Sequence, residues 1–456
     1  MTALTWHDLP SRPTRWWGFP ALMAMRRDYL AAITAQRSLG DLVAQRILGE
    51  RGVDVFDPEL LRAIMVDHAD ALVRWQRGPE VFADLMGQSV LVTEGATWQR
   101  QRRMLMPAFT PKRVAGYAAL MTEAAVQGLD AVRPGAVAMD ALFSHLTMDV
   151  ISRTLFSTPI GRDTAAAADA VQVLSKTALA EMFWPFTLPD WLPLPGKAAK
   201  RRAGKLLHGL LAHHIDTRRA AGGGGQADLL GMLMALRDDP TGEALSPREV
   251  YDQCMVSFQA GHETSATALL WWSWLLAAHP DVQEKARAEV DAVLAGRAPT
   301  ADDAGALPFL SATLKEAMRL YPPVAAMLTR RLTRDITVGG VTLPARTLVR
   351  VTPWLLHRDP RWWPDEPLAF KPGRFLPSSD GRAAEIPRGA YIPFGLGPRV
   401  CLGQHFAVLE MTLIAALVLQ RFTLSPAGPE VPKPRMAVTL RPQQGLTLTL
   451  APRRPA

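Results

Sequence analysis

One segment of this 456-residue chain is long and apolar on every face, and it restricts the folds that the chain can adopt. It begins at "SPRE", Ser246 to Glu249, where a serine followed three residues later by glutamate forms a capping box and Pro247 takes the first helical position. Apolar side chains then recur on all sides as far as "AAHP", Ala277 to Pro280. A helix of about 33 residues rises roughly 50 Å, and a helix that is apolar all round is buried. The sequence therefore predicts a mainly α-helical protein built around this rod.

Three stretches depart from the helical pattern and predict small antiparallel sheets beside the helices. Residues 40–56 contain short β-like runs, and residues 329–351 alternate apolar with polar side chains around Gly339-Gly340, a typical hairpin signal. Residues 436–451 predict a second hairpin. We expect residues 1–456 to form a single catalytic domain without a fused reductase domain, because only 55 residues follow Cys401.

The amino-acid composition indicates the class of protein and the cellular compartment. The only cysteines, Cys254 and Cys401, lie far apart and offer no disulfide framework, which favours a reducing, cytoplasmic location. No signal peptide is recognisable, and the apolar runs are too short to cross a bilayer, so a soluble protein is expected. The net charge of +8 favours acidic partners only weakly, and no nucleic-acid-binding motif accompanies it.

The stretch "YIPFGLGPRVCLGQHFA" places Cys401 in a glycine-rich loop, two residues after Arg399 and just ahead of a strong helix pattern. The positive end of a helix dipole favours a thiolate over a thiol, and glycines let the backbone approach a large flat group closely. An isolated cysteine is more often a small buried core residue. With the arginine beside it, this cysteine predicts a metal bound by sulfur next to an anionic group.

The same loop, "FGLGPRVCLG", has the pattern Phe-x-x-Gly-x-Arg-x-Cys-x-Gly and resembles the haem-binding loop of the cytochrome P-450 family. Four other segments match motifs of that family in the right order over about 300 residues. They are "WQRQR" at 98–102, "AGHETS" at 260–265, "EAMR" at 316–319 and "KPGRF" at 371–375. The chain thus resembles a soluble, bacterial-type cytochrome P-450, whose fold places a long central helix over the haem.

The resemblance implies a haem b (iron protoporphyrin IX) with Cys401 as the axial ligand of the iron. The expected cofactor contacts are Cys401, Arg399, Trp98, Arg102, Arg330, Phe394, Gly395, Gly403, Ala260 and Gly261. Two of the arginines, Arg102 and Arg399, match positions that pair with the haem propionates. The expected substrate pocket consists of Ala260, Thr264, Val324, Ala325, Met327 and Thr439.

Two polar residues of the central helix carry the expected chemistry. Thr264 would hydrogen-bond dioxygen, Glu263 would relay protons from solvent, and Gly261 would loosen the helix into a groove for the oxygen molecule. Without a haem nearby, Gly261 and Thr264 would indicate only a tolerated kink.

A second set of residues is expected to have a structural role. Glu316 and Arg319 would form a buried pair that Arg374 joins, although residues three apart on a helix often form only a surface pair. The stretch from Phe183 to Lys205 would cover the substrate entrance as a lid or touch a membrane, whereas its basic residues alone predict a solvated helix face.

These features together predict a haem-thiolate monooxygenase that hydroxylates or epoxidises a mainly apolar small molecule, such as a fatty acyl chain or a terpenoid. Electrons would come from NAD(P)H through a separate ferredoxin or flavodoxin, and the protein would act as a monomer. Two alternatives stay open: a peroxygenase driven by hydrogen peroxide, and a non-enzymatic haem sensor. The proton-relay pair argues against the first, and the lack of a recognisable output domain argues against the second.

Overall fold

The computed structural model describes residues 4–12, 16–158, 161–184, 187–222, 228–326, 328–377 and 385–453. The α-helices in these ranges are α1 (Phe19–Arg27), α2 (Tyr29–Arg37), α3 (Pro58–Arg62), α4 (Arg77–Met86), α5 (Gly95–Leu105), α6 (Pro111–Ala115), α7 (Ala118–Asp130), α8 (Met139–Phe156), α9 (Thr164–Met182), α10 (Lys197–Ala220), α11 (Leu229–Ala235), α12 (Pro247–Ala278), α13 (Pro280–Leu294), α14 (Pro308–Leu320), α15 (Pro353–Leu356) and α16 (Gln404–Arg421).

The strands are short. They are β1 (Leu4–Thr5), β2 (Leu42–Ile47), β3 (Glu50–Val55), β4 (Leu72–Arg74), β5 (Gly135–Ala138), β6 (Arg330–Leu332), β7 (Ile336–Val338), β8 (Val341–Leu343), β9 (Leu348–Val351), β10 (Phe422–Pro426), β11 (Pro434–Met436), β12 (Leu440–Pro442) and β13 (Thr447–Pro452).

The central helix predicted from the sequence is present as α12, 32 residues long. The Ser246 hydroxyl accepts a hydrogen bond from the Glu249 N–H at 3.2 Å, and the Glu249 carboxylate accepts one from the Ser246 N–H at 2.9 Å, so the predicted capping box forms. Helices α8, α14 and α16 pack around α12. Two adjacent indoles near its end, Trp271 and Trp272, are fully buried. The helix is therefore the core of the α-helical part, as its apolar surface requires.

The sheets lie beside the helices, and the first two predicted β regions contain strands. Region 40–56 supplies β2 and β3, and region 329–351 supplies β6 to β9, with β7 and β8 forming the predicted hairpin. The largest sheet has the order β2-β3-β9-β6-β4. It is mixed rather than antiparallel, because β3 and β9 run parallel.

The third β region does not form the single hairpin that was predicted for 436–451. Strands β11 and β12 pair with each other, while β13 pairs with β10 and β5 in a separate sheet. The alternation of side chains was interpreted correctly as β structure, but the partners of β13 come from distant parts of the chain. Local sequence carries no information about such pairing.

Candidate functional site

A large internal cavity lies between α12 and the loop that precedes α16. Its volume is about 300 Å³. Helix α12 contributes Ala260, Gly261 and Thr264 to its wall, and the loop contributes Phe394 and Cys401. Pockets for small ligands usually measure about 300–1,000 Å³. The cavity reaches the lower end of that range, so it is a binding pocket shared by α12 and the cysteine loop.

The loop that carries Cys401 is shaped by backbone contacts. The Cys401 N–H donates to the Phe394 carbonyl at 2.9 Å, which closes a tight loop over Gly395 and Gly397. Both glycines have positive φ, 84° and 78°, a conformation that other residues rarely adopt. A Cβ on Gly397 would lie 2.2 Å from the carbonyl oxygen of Met65, so only glycine fits there. The sulfur is held three residues ahead of α16 and faces the cavity.

The Cys401 thiol is not predisposed to ionise by its surroundings alone. Burial raises its pKa, and the opposing effects of the Gly403 N–H and the Arg102 charge are smaller. The Gly403 N–H at the start of α16 favours the thiolate, as expected, but burial outweighs it. A metal ion bound to the sulfur would reverse the balance, since a coordinating thiol is deprotonated outright.

Four arginines face the cavity and are only partly balanced by acidic groups. Arg74, Arg102, Arg330 and Arg399 line the wall, which carries no carboxylate among the described residues. Glu94 is shared by two of them: it pairs with Arg399, and its carboxylate lies 3.7 Å from Arg74. Burial, with the neighbouring Arg399 and Arg330 charges, lowers the pKa of Arg74 to about 9. Burial likewise lowers the pKa of Arg399 to about 10.

A haem fits this cavity only if its carboxylates balance the excess of buried positive charge. The Arg74 Nε atom is buried without a hydrogen bond, since the Glu94 carboxylate lies 3.7 Å away, and a buried polar group that lacks a hydrogen bond is costly. Two propionates would pair with the guanidinium groups through strong charge-assisted bonds. The Trp98 ring extends the same wall, with the Arg399 guanidinium carbon 4.0 Å from its centroid. The residues present therefore fit a flat cofactor with two carboxylates at one edge and a metal at Cys401.

Two expectations about α12 need correction or refinement. The Thr264 hydroxyl donates to the Ala260 carbonyl at 2.9 Å, as helical threonines often do. The helix is continuous past Gly261, so no loosened turn forms. Instead, a Cβ on Gly261 would lie 2.8 Å from the Ile151 side chain of α8. Gly261 is thus explained by the close approach of two helices.

Glu263 does not line the cavity. Its buried carboxylate accepts hydrogen bonds from Ser175 on α9 and from Thr439, the latter at 2.8 Å, and lies 3.6 Å from Arg441. These contacts join three separate elements of the fold around one side chain. The expected direct proton relay by Glu263 is therefore not supported by its position, because the carboxylate is already occupied by other partners.

The expected substrate pocket is only partly correct. Val324 lines the cavity, together with Ala260 and Thr264. Ala325 is fully buried in a hydrophobic cluster outside it, and Thr439 points to Glu263 instead. Met327 lies outside the described residues.

The remaining pocket residues were not found from the sequence. They are mostly apolar and include Val90, Leu91, Val256 and Ser257. They belong to α12 and to loops. Their spacing along the chain does not indicate that they line the same cavity.

Glu316 and Arg319 form a fully buried pair on α14. The Arg319 guanidinium donates to both carboxylate oxygens, at 2.6 and 2.8 Å, and to the carbonyls of His357, Pro367 and Ala369. The Glu316 carboxylate also accepts from the Lys371 N–H at 2.9 Å, and Arg374 Nε lies 3.5 Å from it. The pair therefore fastens α14 to the segment 357–374, and neither of its side chains lines the cavity.

Two further ionisable residues near the site were missed by sequence reasoning. Arg74 ends the three-residue strand β4, which is too short to produce a pattern. Glu410 on α16 is fully buried with both carboxylate oxygens unpartnered, and burial raises its pKa to about 8. It lies close to Ser265, which lines the cavity.

Comparison with known proteins agrees with this geometry. The family model for cytochrome P-450 matches residues 10–450. Cyclooctatin synthase from Streptomyces melanosporofaciens is 37% identical over 438 residues, covering 93% of this chain and 92% of its own. Cyclooctat-9-en-7-ol 5-monooxygenase from the same organism is 33% identical, covering 89% of this chain and 87% of its own. The Arabidopsis thaliana protein LUTEIN DEFICIENT 5 is 30% identical, covering 88% and 70%.

A family model that spans nearly the whole chain agrees with the cysteine loop, the arginine-lined cavity and the long helix beside it. Family membership implies a haem cofactor, dioxygen as a reactant and electrons from a redox partner. The chain therefore belongs to the cytochrome P-450 family and is a haem-dependent monooxygenase.

Proposed function

We propose that this monooxygenase hydroxylates a neutral, mainly apolar terpenoid, with electrons supplied by a separate ferredoxin or flavodoxin. The substrate class is inferred from the residues that line the cavity. Its four arginines lie with Trp98 and Glu94 where the cofactor carboxylates would bind, and the described part of the wall offers no other charged group for a substrate. A substrate held there is bound by shape and apolar contact.

Two relatives support the choice of a terpenoid over a fatty acid. One is named a synthase of cyclooctatin and the other a 5-monooxygenase of cyclooctat-9-en-7-ol, and both align with about nine-tenths of this chain. A fatty acid would bring a carboxylate, for which a free cationic anchor would be expected. The wall segments next to Val324 and Val256 are apolar and suit a compact hydrocarbon skeleton.

Each residue of the site has a distinct role in this proposal. Cys401 would hold the iron, and Arg74, Arg102, Arg330 and Arg399 would hold the carboxylates at the edge of the cofactor. The bound haem would supply the redox chemistry that activates dioxygen. Thr264 would turn its hydroxyl from the Ala260 carbonyl toward the cavity and hold a proton there.

Glu263 has a positioning role in the same proposal. It would keep α9 against α12 and so exclude water from the cavity. In the free protein its carboxylate is held by Ser175 and Thr439, and it would influence proton supply only through that closure. This replaces the direct relay expected from the sequence.

The test is a binding and turnover screen with the purified holoenzyme and a surrogate ferredoxin system. Cyclic diterpene alcohols are expected to shift the haem absorption and to gain one oxygen atom, seen as a 16-unit mass increase. Fatty acids of similar size serve as the matched comparison. Spectral shifts and products from fatty acids alone would refute the substrate class. Cys401→Ala should abolish the absorption band typical of thiolate-bound carbon monoxide haem, and its persistence would refute the ligand assignment.

A further inference from the structure

One buried side chain on the cavity wall has hydrogen-bond donors that no described residue accepts. Gln253 on α12 is 0% exposed and lines the cavity. Its Oε1 atom accepts a hydrogen bond from the Val90 N–H at 3.1 Å, which fixes the orientation of the amide. Its Nε2 atom is buried and has no hydrogen-bond partner among the described residues. Buried polar groups are almost always paired, so the Gln253 N–H groups are available to a molecule in the cavity.

Holding the loop after α4 in place does not require these N–H groups. The Asp252 carboxylate accepts from the Gln88 N–H at 2.8 Å, and the Gln101 amide donates to the Gln88 carbonyl, also at 2.8 Å. Gln253 takes part in this scaffold only through its oxygen, a contact that a side chain without N–H groups could make equally well. The fold therefore does not account for the two donors.

A second polar side chain, Ser257, lies one helical turn after Gln253 and lines the same cavity. Residues four apart on a helix are neighbours on its surface. The Ser257 hydroxyl can both donate and accept a hydrogen bond, whereas the free Gln253 N–H groups can only donate. The wall beside them is apolar and includes Val90, Leu91 and Val256. We call Gln253 and Ser257 the polar pair, because they form a polar spot within an apolar part of the wall.

The polar pair carries no charge, and this decides which chemical group suits it. A carboxylate would need a cationic partner, and the arginines of the wall are expected to hold the cofactor carboxylates. The oxygen of an alcohol can accept from the Gln253 amide while its hydrogen is donated to Ser257. A ketone or an ether can only accept. The pair is therefore matched best by a hydroxyl group on an otherwise apolar molecule.

Helix α12 is the longest helix of the described ranges, although neither it nor any other helix there is long and apolar enough to cross a membrane. One side of it faces the cavity from Gln253 to Thr264, since Ser257 and Ala260 also line the wall. Gln253 precedes Thr264 by eleven residues, which is roughly 16 Å along the helix axis. A molecule held by the polar pair would thus extend along α12 and bring its opposite end toward Thr264.

We propose that the polar pair is a specificity site that binds a hydroxyl group already present on the substrate. The skeleton of that substrate is the terpenoid of the proposed function, on which this proposal rests. The bound hydroxyl stays unchanged, and the new oxygen atom is inserted at the end of the molecule nearer Thr264. A site built to hydrogen-bond a substrate hydroxyl rejects the analogue that lacks it, because the buried donors are then left unpaired. The substrate therefore comes from a reaction that has already introduced a hydroxyl group.

The test compares how the purified holoenzyme binds a tricyclic diterpene alcohol and the parent hydrocarbon, each followed by the shift in haem absorption. The quantity measured is the dissociation constant of the hydrocarbon divided by that of the alcohol. Gln253→Met removes the N–H groups and is expected to lower this ratio about tenfold, and Ser257→Ala about threefold, since each loses a buried hydrogen bond to the alcohol. In turnover, the wild type should oxidise the ring farthest from the hydroxyl, and Gln253→Met should oxidise several positions.

The matched control is Gln101→Met. Gln101 is also 0% exposed and supports the same loop, but its amide contacts Thr93 and Gln88 and does not line the cavity. This variant should keep the wild-type ratio, whatever its stability. An unchanged ratio in both Gln253→Met and Ser257→Ala would overturn the proposal and leave only an ordered water at the amide. If the wild type binds neither molecule, the proposed substrate class is wrong and the polar pair fails with it, whereas binding of both with the same ratio in every variant refutes the polar pair alone.

Discussion

Removing one partner of the buried pair on α14 should destabilise the protein more than any comparable change at its surface. Glu316 and Arg319 are both 0% exposed, and the guanidinium makes five hydrogen bonds, two of them to the carboxylate. Glu316→Gln leaves that charge buried and uncompensated, at a cost of about 3–5 kcal/mol. Domains are stable by only about 5–15 kcal/mol, so this is a large fraction of the total.

Arg319→Met should cost at least as much. It leaves the buried carboxylate without its counter-charge and also strips the carbonyls of His357, Pro367 and Ala369 of their donor. Each buried acceptor left unpaired adds about 1–3 kcal/mol. The measurement is the urea midpoint of the holoenzyme, with haem content per chain as a second readout.

The matched control is Arg334→Met, which breaks the pair with Asp70, where the side chains are 52% and 68% exposed. Exposed pairs contribute about 0–1 kcal/mol, so this midpoint should hardly move. If Glu316→Gln and Arg319→Met shift the midpoint no more than the control does, the argument from burial is wrong. If they unfold on expression, Arg319→Lys keeps the charge without the fork and should give a measurable intermediate loss.

Three further results are expected. Burial holds the pKa of Glu410 near 8 instead of 4.5, so between these values the folded protein retains a proton that the unfolded chain releases. The free energy of unfolding should therefore decrease as the pH rises from 4.5 to 8. The loss amounts to about 1.4 kcal/mol per pH unit, and Glu410→Gln should remove it. If the urea midpoints of the wild type and of Glu410→Gln change with pH in the same way across this window, the argument is contradicted. Thr264→Ala should release more hydrogen peroxide per product than Thr264→Ser does, and unchanged coupling in both would exclude a role for the hydroxyl. Turnover with an acidic ferredoxin should fall as salt rises, since charges are screened beyond about 8 Å at physiological ionic strength, and a salt-independent rate would indicate apolar docking.

Local signals were enough to predict the parts of the fold that depend on neighbouring residues. The capping box and the all-round apolar pattern predicted α12 to within about two residues at its C-terminal end. The glycines around Cys401 were expected to let the backbone approach a large flat group, which stays a prediction, whereas the positive φ of two of them was not foreseen. The positive φ of Gly395 and Gly397 explains why the loop can be recognised from its spacing alone.

The features that sequence reasoning missed depend on contacts between distant segments. Glu263 was expected to serve the cavity, but Ser175 and Thr439 reach its carboxylate from 88 and 176 residues away. Gly261 was expected to loosen a helix, but it makes room for Ile151. Strand β13 leaves the predicted hairpin because β5 and β10 pair with it. In each case the partner could not be inferred from spacing along the chain.

The contact between Gly397 and the Met65 carbonyl has a consequence for the order of events during synthesis. The two residues are 332 positions apart, so the loop that carries Cys401 cannot take its final shape until 332 residues beyond Met65 have been synthesised. At about 5–20 residues per second, the N-terminal segment waits roughly 17–66 s for this partner. Capture of the cofactor is therefore a late, post-translational event, and the nascent chain must keep its apolar central helix from aggregating before that event.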